Sequence, residues 1–118
     1  MESVIEFLLV GTGGILGAWM RHLLGERIDT RTRDTLAVNV LGSFTLGALL
    51  AVPETHPVFF VFAVGFCGAF TTFSTFAFET VRLFETGDRR LAVWNAGINL
   101  VGALLAVVAG TLIGVVVV

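Results

Sequence analysis

The sequence predicts an all-α integral membrane protein with four transmembrane helices. Three observations predict it. Apolar residues make up 56% of the 118-residue chain and charged residues only 14%, where a soluble domain carries about 25%. The charges fall in clusters that leave four apolar segments between them. All seven basic residues are arginines, and they gather at one end of those segments. Inside lipid a backbone must satisfy its own N–H and C=O groups, so segments of this length are helices.

The first segment runs from Phe7 to about Leu24. Only Phe7 to Met20 is free of charge and histidine, which is short against the roughly 20 residues a span needs. It reaches that length if Arg21 snorkels to the interface. Met1-Glu2-Ser3 has no basic lead-in, so this segment reads as a retained helix and not as a cleaved signal. The second segment is Leu36 to Val52. The third, Val58 to Phe78, holds 21 residues without a charge, and the fourth, Leu91 to Val118, holds none. With their flanks these give helices at about 4–24, 35–52, 57–84 and 91–117, one four-helix unit over residues 1–118.

The links are short. Gly25 to Thr35 carries Glu26, Arg27, Asp29, Arg31, Arg33 and Asp34; Pro53 to Pro57 carries Glu54 and His56; Glu85 to Arg90 carries Gly87, Asp88, Arg89 and Arg90. Such links make the helices antiparallel neighbours, with the first and third links on one side of the membrane. Arg21, Arg27, Arg31, Arg33, Arg82, Arg89 and Arg90 all belong to that side. The positive-inside rule makes it cytoplasmic and turns both termini outward, in a multi-pass cell-membrane protein.

Other function classes find little support. A net charge of −2 gives nucleic acid no footprint. Cys67 is alone, which excludes a disulfide framework or a cysteine zinc site. His22 and His56 are not spaced as metal ligands, and no nucleophile–base set or phosphate loop occurs. An enzyme is not expected.

Small residues recur inside the helices. Gly13 and Gly17 form one G-x-x-x-G pair and Gly110 and Gly114 another, while Gly42 and Gly47 lie in the second helix. These let backbones approach closely. They predict tight helix packing and an oligomer, because four short helices enclose little space.

The third segment differs from the rest. Eight of the eleven phenylalanines fall between Phe59 and Phe78, interleaved with Thr71, Thr72, Ser74 and Thr75. In a continuous helix Phe73 and Phe76 share one face, and Thr72, Thr75 and Glu79 another. Gly68 and the Thr71-Thr72 pair sit where a helix could break, near 68–72, and freed carbonyls at that depth are open to a cation. Two readings stand at this point: a packing helix whose hydroxyls bond back to the i−4 carbonyl, or a polar file through the membrane. Asn39, Asn95 and Asn99 pose the same choice, since each buried amide needs another helix or water.

Gly13-Gly14-Ile15-Leu16-Gly17-Ala18-Trp19-Met20-Arg21, Asn39-Val40-Leu41-Gly42-Ser43-Phe44, and Gly65 through Phe76 come in the order and spacing of one family. The sequence resembles the CrcB/Fluc fluoride channels over nearly its whole length. The resemblance implies an antiparallel dimer of four-helix subunits, each with a broken third helix, and a fluoride-specific pore that exports cytoplasmic fluoride. By position it implies Asn39, Phe73, Phe76, Thr72, Ser74, Thr75 and Glu79 as pore residues. It further implies a structural sodium ion at the dimer centre on the Gly68 and Thr71 carbonyls, and a structural role for Arg21. Ala69 stands where the family often has a second glycine. The partner is a second subunit in the opposite orientation. It is either this chain itself or a homologous chain of opposite charge bias, the latter because seven arginines to none should orient this chain one way.

Two rivals remain. A small four-helix multidrug or cation exporter would need a carboxylate well inside a helix, and Glu6 and Glu79 lie near helix ends. A non-conducting assembly subunit would leave the Thr71-to-Phe76 run without a reason.

Overall fold

The computed structural model describes residues 2–28 and 31–118; Asp29 and Thr30 of the first link lie outside them, as does Met1. Helix α1 spans Glu2–Arg27 and α2 spans Arg31–Leu49. A π-helical stretch, Phe59–Phe66, runs directly into a short α3, Cys67–Phe70; α4 covers Ser74–Glu85 and α5 Arg89–Val117. The described residues thus form four helical rods and no strand, in a body of 52 × 29 × 23 Å. Ser3–Arg27, Phe59–Glu85 and Arg89–Val117 are long and apolar enough to cross a membrane.

α2 falls short of that measure. It starts four residues before the predicted 35, taking up Arg31, Arg33 and Asp34, and ends three residues before the predicted 52. Helices run readily through arginine, and Asp34 in the first turn suits the helix dipole. At the other end the helix tightens ahead of Pro53. The Leu50 N–H is shared between the Leu46 and Gly47 carbonyls at 3.1 and 3.2 Å, and Val52 N–H reaches the Leu49 carbonyl at 2.9 Å. The apolar part of α2, Leu36–Leu49, is therefore about 21 Å long at 1.5 Å per residue. α1 extends past the predicted 24, with Ile28 N–H still bonded to the Leu24 carbonyl at 3.2 Å.

The third link closes tightly. Gly87 has φ +95°, Asp88 N–H reaches back to the Leu83 carbonyl at 2.9 Å, and Gly87 N–H reaches that of Phe84 at 3.3 Å. This is a Schellman turn, and only glycine takes that φ without strain. It folds α4 back onto α5.

The glycine pairs are used within the chain. A Cβ on Gly13 would overlap the Val61 carbonyl oxygen, one on Gly17 that of Phe66, and one on Gly65 that of Val10. α1 thus lies backbone to backbone on the π-helical stretch. A Cβ on Gly47 would overlap the Val107 carbonyl, one on Gly110 that of Phe44, and one on Gly114 that of Ala48, so α2 and α5 touch in the same way. Among the described residues the buried apolar set is small as a result: Val38, Ala63, Cys67, Phe70, Ala92 and Ala106. Large side chains such as Ile15, Leu105 and Val116 point outward, as lipid-facing residues do.

Candidate functional site

The site is built around an interruption of the third rod. α3 ends at Thr71, whose φ −83° and ψ 162° are extended, and helical bonding resumes with α4 at Ser74. The Thr72 N–H, which a continuous helix would give to the Gly68 carbonyl, is donated to Asn39 Oδ1 at 2.8 Å. Asn39 Nδ2 donates back to the Thr72 carbonyl at 3.0 Å. One side chain of α2 thus satisfies both the N–H and the C=O of Thr72, which an apolar surrounding would otherwise leave costly.

Local bonds fix each end of the interruption. The Thr71 hydroxyl donates to the Cys67 carbonyl at 2.9 Å, closing α3. The Thr72 hydroxyl, one residue ahead of the Phe73 N-cap, accepts the Thr75 N–H of the first turn of α4 at 3.1 Å. Arg21 of α1 donates to the Thr75 hydroxyl at 3.0 Å, so a guanidinium sits at the entry to α4 and ties it to α1. Gly42 makes room on the α2 side: a Cβ there would overlap Thr71 Cγ2.

The two readings of the hydroxyls divide by residue. Thr71 and Thr80 bond back to carbonyls four residues earlier, at 2.9 Å each. Thr72 and Thr75 do not, because the interruption takes them out of one continuous helical face. Thr72, expected on one face with Thr75 and Glu79, instead lies ahead of the helix that carries them and accepts the Thr75 N–H.

Asn39, Gly42, Gly68, Thr71, Thr72, Phe73, Phe76 and Asn99 line one open cleft of about 410 Å³. Ser74, Thr75 and Glu79 are not in its lining; Ser74 is exposed and Glu79 is buried within the chain. The Phe73 and Phe76 rings are 5.8 Å apart and tilted by 52°. Phe73 is 78% exposed, so its ring stands out from the helices at the cleft it lines. Gly68 is also exposed, and nothing lies within 4 Å of the place a Cβ would occupy. The cleft joins amide and hydroxyl groups, two aromatic rings and backbone carbonyls without a lysine, arginine or carboxylate in its wall. A dehydrating small ion would find hydrogen-bond donors and ring edges there, but no group to hold it tightly.

Sequence reasoning noted Asn95 and Asn99 without a role for them. Both are buried, at 6% and 4% exposure. Asn99 Oδ1 accepts from Asn39 Nδ2 at 3.3 Å, which brings α5 into the site. The signal was in the sequence: two amides one turn apart in a span with no charge.

The chain matches the model of the CrcB-like protein, Camphor Resistance (CrcB), family over residues 8–111. It is similar to a protein named fluoride-specific ion channel FluC 2 of Natronomonas pharaonis, 45% identical over 112 residues, covering 95% of this chain and 97% of that one. It is similar also to FluC 2 of Haloarcula marismortui, 48% identical over 101 residues (84% and 85% covered). The fluoride-specific ion channel FluC of Methanocaldococcus jannaschii is 42% identical over 114 residues (89% and 90% covered). With the motif-bearing segments, the interruption they build and matches of this extent, the chain belongs to the CrcB-like family.

Proposed function

We propose that the chain is a subunit of a fluoride-specific ion channel, not an enzyme, which lets cytoplasmic fluoride leave the cell down its electrochemical gradient. The observation that carries the reading is the interruption at residues 71–73, pinned by Asn39 and flanked by the Phe73–Phe76 ring pair, in a chain whose relatives bear that name.

Fluoride is small and strongly hydrated, so a selective path must replace its water closely. Hydroxyl and amide N–H groups donate to it, and the positive edges of phenyl rings face it. Weak contacts in series let it enter and leave. Phe73 and Phe76 offer edges, while Thr72 in the interruption and Ser74 and Thr75 in the first turn of α4 offer hydroxyls towards Glu79. Both protons of Asn39 Nδ2 are engaged, on Thr72 and Asn99. Its contribution is then first to shape the interruption, with the longer 3.3 Å bond to Asn99 the one an anion can displace.

The subunit works as half of an antiparallel dimer, in which α2 completes a four-span fold despite its short apolar part. The exposed Phe73 and the open side of Gly68 support this, since both wait on a second surface. Gly68 and Thr71 carbonyls fit a sodium ion between subunits: the Thr72 N–H is drawn away from Gly68, and Thr71 is extended. Such an ion supplies positive charge that ties the subunits and favours anions nearby. The arginine distribution supports both termini outside. Fluoride efflux from liposomes carrying the purified protein, with chloride as control, tests the proposal. Equal rates for both ions, or none for fluoride, would reject it.

A further inference from the structure

Asn39 does not hold its position alone. The Thr72 N–H can only donate, so it fixes which end of the Asn39 amide is oxygen. Nδ2 must then face α5, where it meets Asn99 Oδ1. That in turn aims Asn99 Nδ2 at Asn95, at 3.0 Å from its carbonyl and 3.3 Å from its Oδ1. Asn95 Nδ2 donates to the Thr80 hydroxyl at 3.0 Å, and Thr80 donates to the Phe76 carbonyl at 2.9 Å. Successive donors in this run point the same way, from the interruption through α5 and back to α4, and the second Nδ2 bond of Asn39 alone returns to the Thr72 carbonyl. The run begins on the Thr72 N–H and ends on the Phe76 carbonyl, so it brackets the ring pair.

The two Nδ2 bonds of Asn99 both go to Asn95, and its oxygen goes to Asn39. The amide of Asn99 is thus directed at Asn95 and Asn39, although the residue lines the cleft. Burying two amides in the uncharged stretch of α5 beyond Arg90 costs free energy that a leucine pair would not, and nothing about α5 as a helix requires them.

We propose that Asn99 is a positioning residue: it sets the orientation of the Asn39 amide and through it holds Thr72 and the interruption in place, with Asn95 and Thr80 anchoring it from behind. The link to conduction rests on the channel reading above. The link to the interruption does not.

The test is amide hydrogen exchange at Thr72, read by NMR on the full chain in lipid nanodiscs, as a double-mutant cycle. Asn99→Leu keeps the volume and removes the acceptor; Asn99→Ala removes it without any steric risk. Each should speed exchange at Thr72 about five- to tenfold, the scale of one lost hydrogen bond. In an Asn39→Ala background, adding Asn99→Leu should change it by less than about twofold, because the relay acts only through Asn39. Unchanged exchange in both single variants, or effects that multiply in the double variant, would overturn the proposal; a merely structural role predicts the latter. Fluoride efflux by Asn99→Leu should fall about tenfold alongside. A wild-type chain that carries no fluoride would overturn the channel reading and the conduction half of this one, and the exchange data alone would decide the relay.

Discussion

Replacing Phe73 and Phe76 by isoleucine separates the proposed ring-edge contacts from the fold. Phe73 is 78% exposed, so only about a fifth of its surface is covered within the subunit. Full burial of a phenylalanine is worth about 2 kcal/mol, which puts the loss at Phe73 near 0.4 kcal/mol. The tilted pair at 5.8 Å adds roughly 0.5–1.5 kcal/mol that either substitution removes. Isoleucine keeps most of the apolar volume, so a single variant should stay folded and assembled. The quadrupole is what disappears. A ring–ion contact is worth about 0.5–2 kcal/mol by analogy with cation–π pairs, and about 1.4 kcal/mol is a tenfold change in rate. Each single variant should therefore lose roughly tenfold in fluoride efflux and the double variant roughly a hundredfold. The assay is fluoride-electrode efflux from liposomes, with size-exclusion profiles as the check on assembly. A double variant with wild-type efflux would refute the ring-edge mechanism; one that no longer assembles would refute the stability estimate.

Other outcomes follow from the same geometry. Thr71→Val should keep efflux within about twofold, because the Thr71 hydroxyl is spent on the Cys67 carbonyl, at a cost of about 1 kcal/mol in unfolding measured by denaturant titration in micelles. Gly110→Val should cost about 1–3 kcal/mol in that titration by forcing α5 off the Phe44 carbonyl, whereas Gly97→Ala, with nothing within 4 Å, should be neutral or slightly stabilising. Arg21→Met keeps the stem and removes the donor to Thr75; slower efflux with an unchanged chromatographic profile is expected. A tag after Val118 should be accessible from outside the cell when the chain is expressed alone, and comparable labelling from both faces would remove the need for a second, oppositely biased chain.

Much of the arrangement is legible in the sequence because membrane proteins write it in one dimension. Apolar runs between charge clusters mark helices at 4–24, 57–84 and 91–117 to within a few residues of α1, the composite third rod and α5. The ends drift where charged residues favour helix outside the hydrocarbon, as at Arg27 and Arg31. The π-helical stretch at Phe59–Phe66 was not legible: its apolar run has no period that tells wide turns from ordinary ones. Nor was the register of the interruption. It falls at 71–73 and leaves Gly68 in a helical turn, because the side chain that competes for the Thr72 N–H lies 33 residues away on α2.

The class of protein, the apolar segments, the one-sided arginines and the family motifs can be read along the chain alone, since each depends only on residue type and short spacing. Tertiary structure decided which of those residues meet. Gly13 and Gly17 serve the π-helical stretch, and Gly110 and Gly114 serve α2, while Gly11 and Gly97 face open space in the same kind of pattern. Thr72 and Thr75, alike in the sequence to Thr71 and Thr80, are the two that do not bond back, because Asn39 and Arg21 reach them from other helices. Asn99 joins the site across 60 residues of chain. A polar group in an apolar span must find a partner, but the sequence shows only the need; the packing of helices supplies the partner.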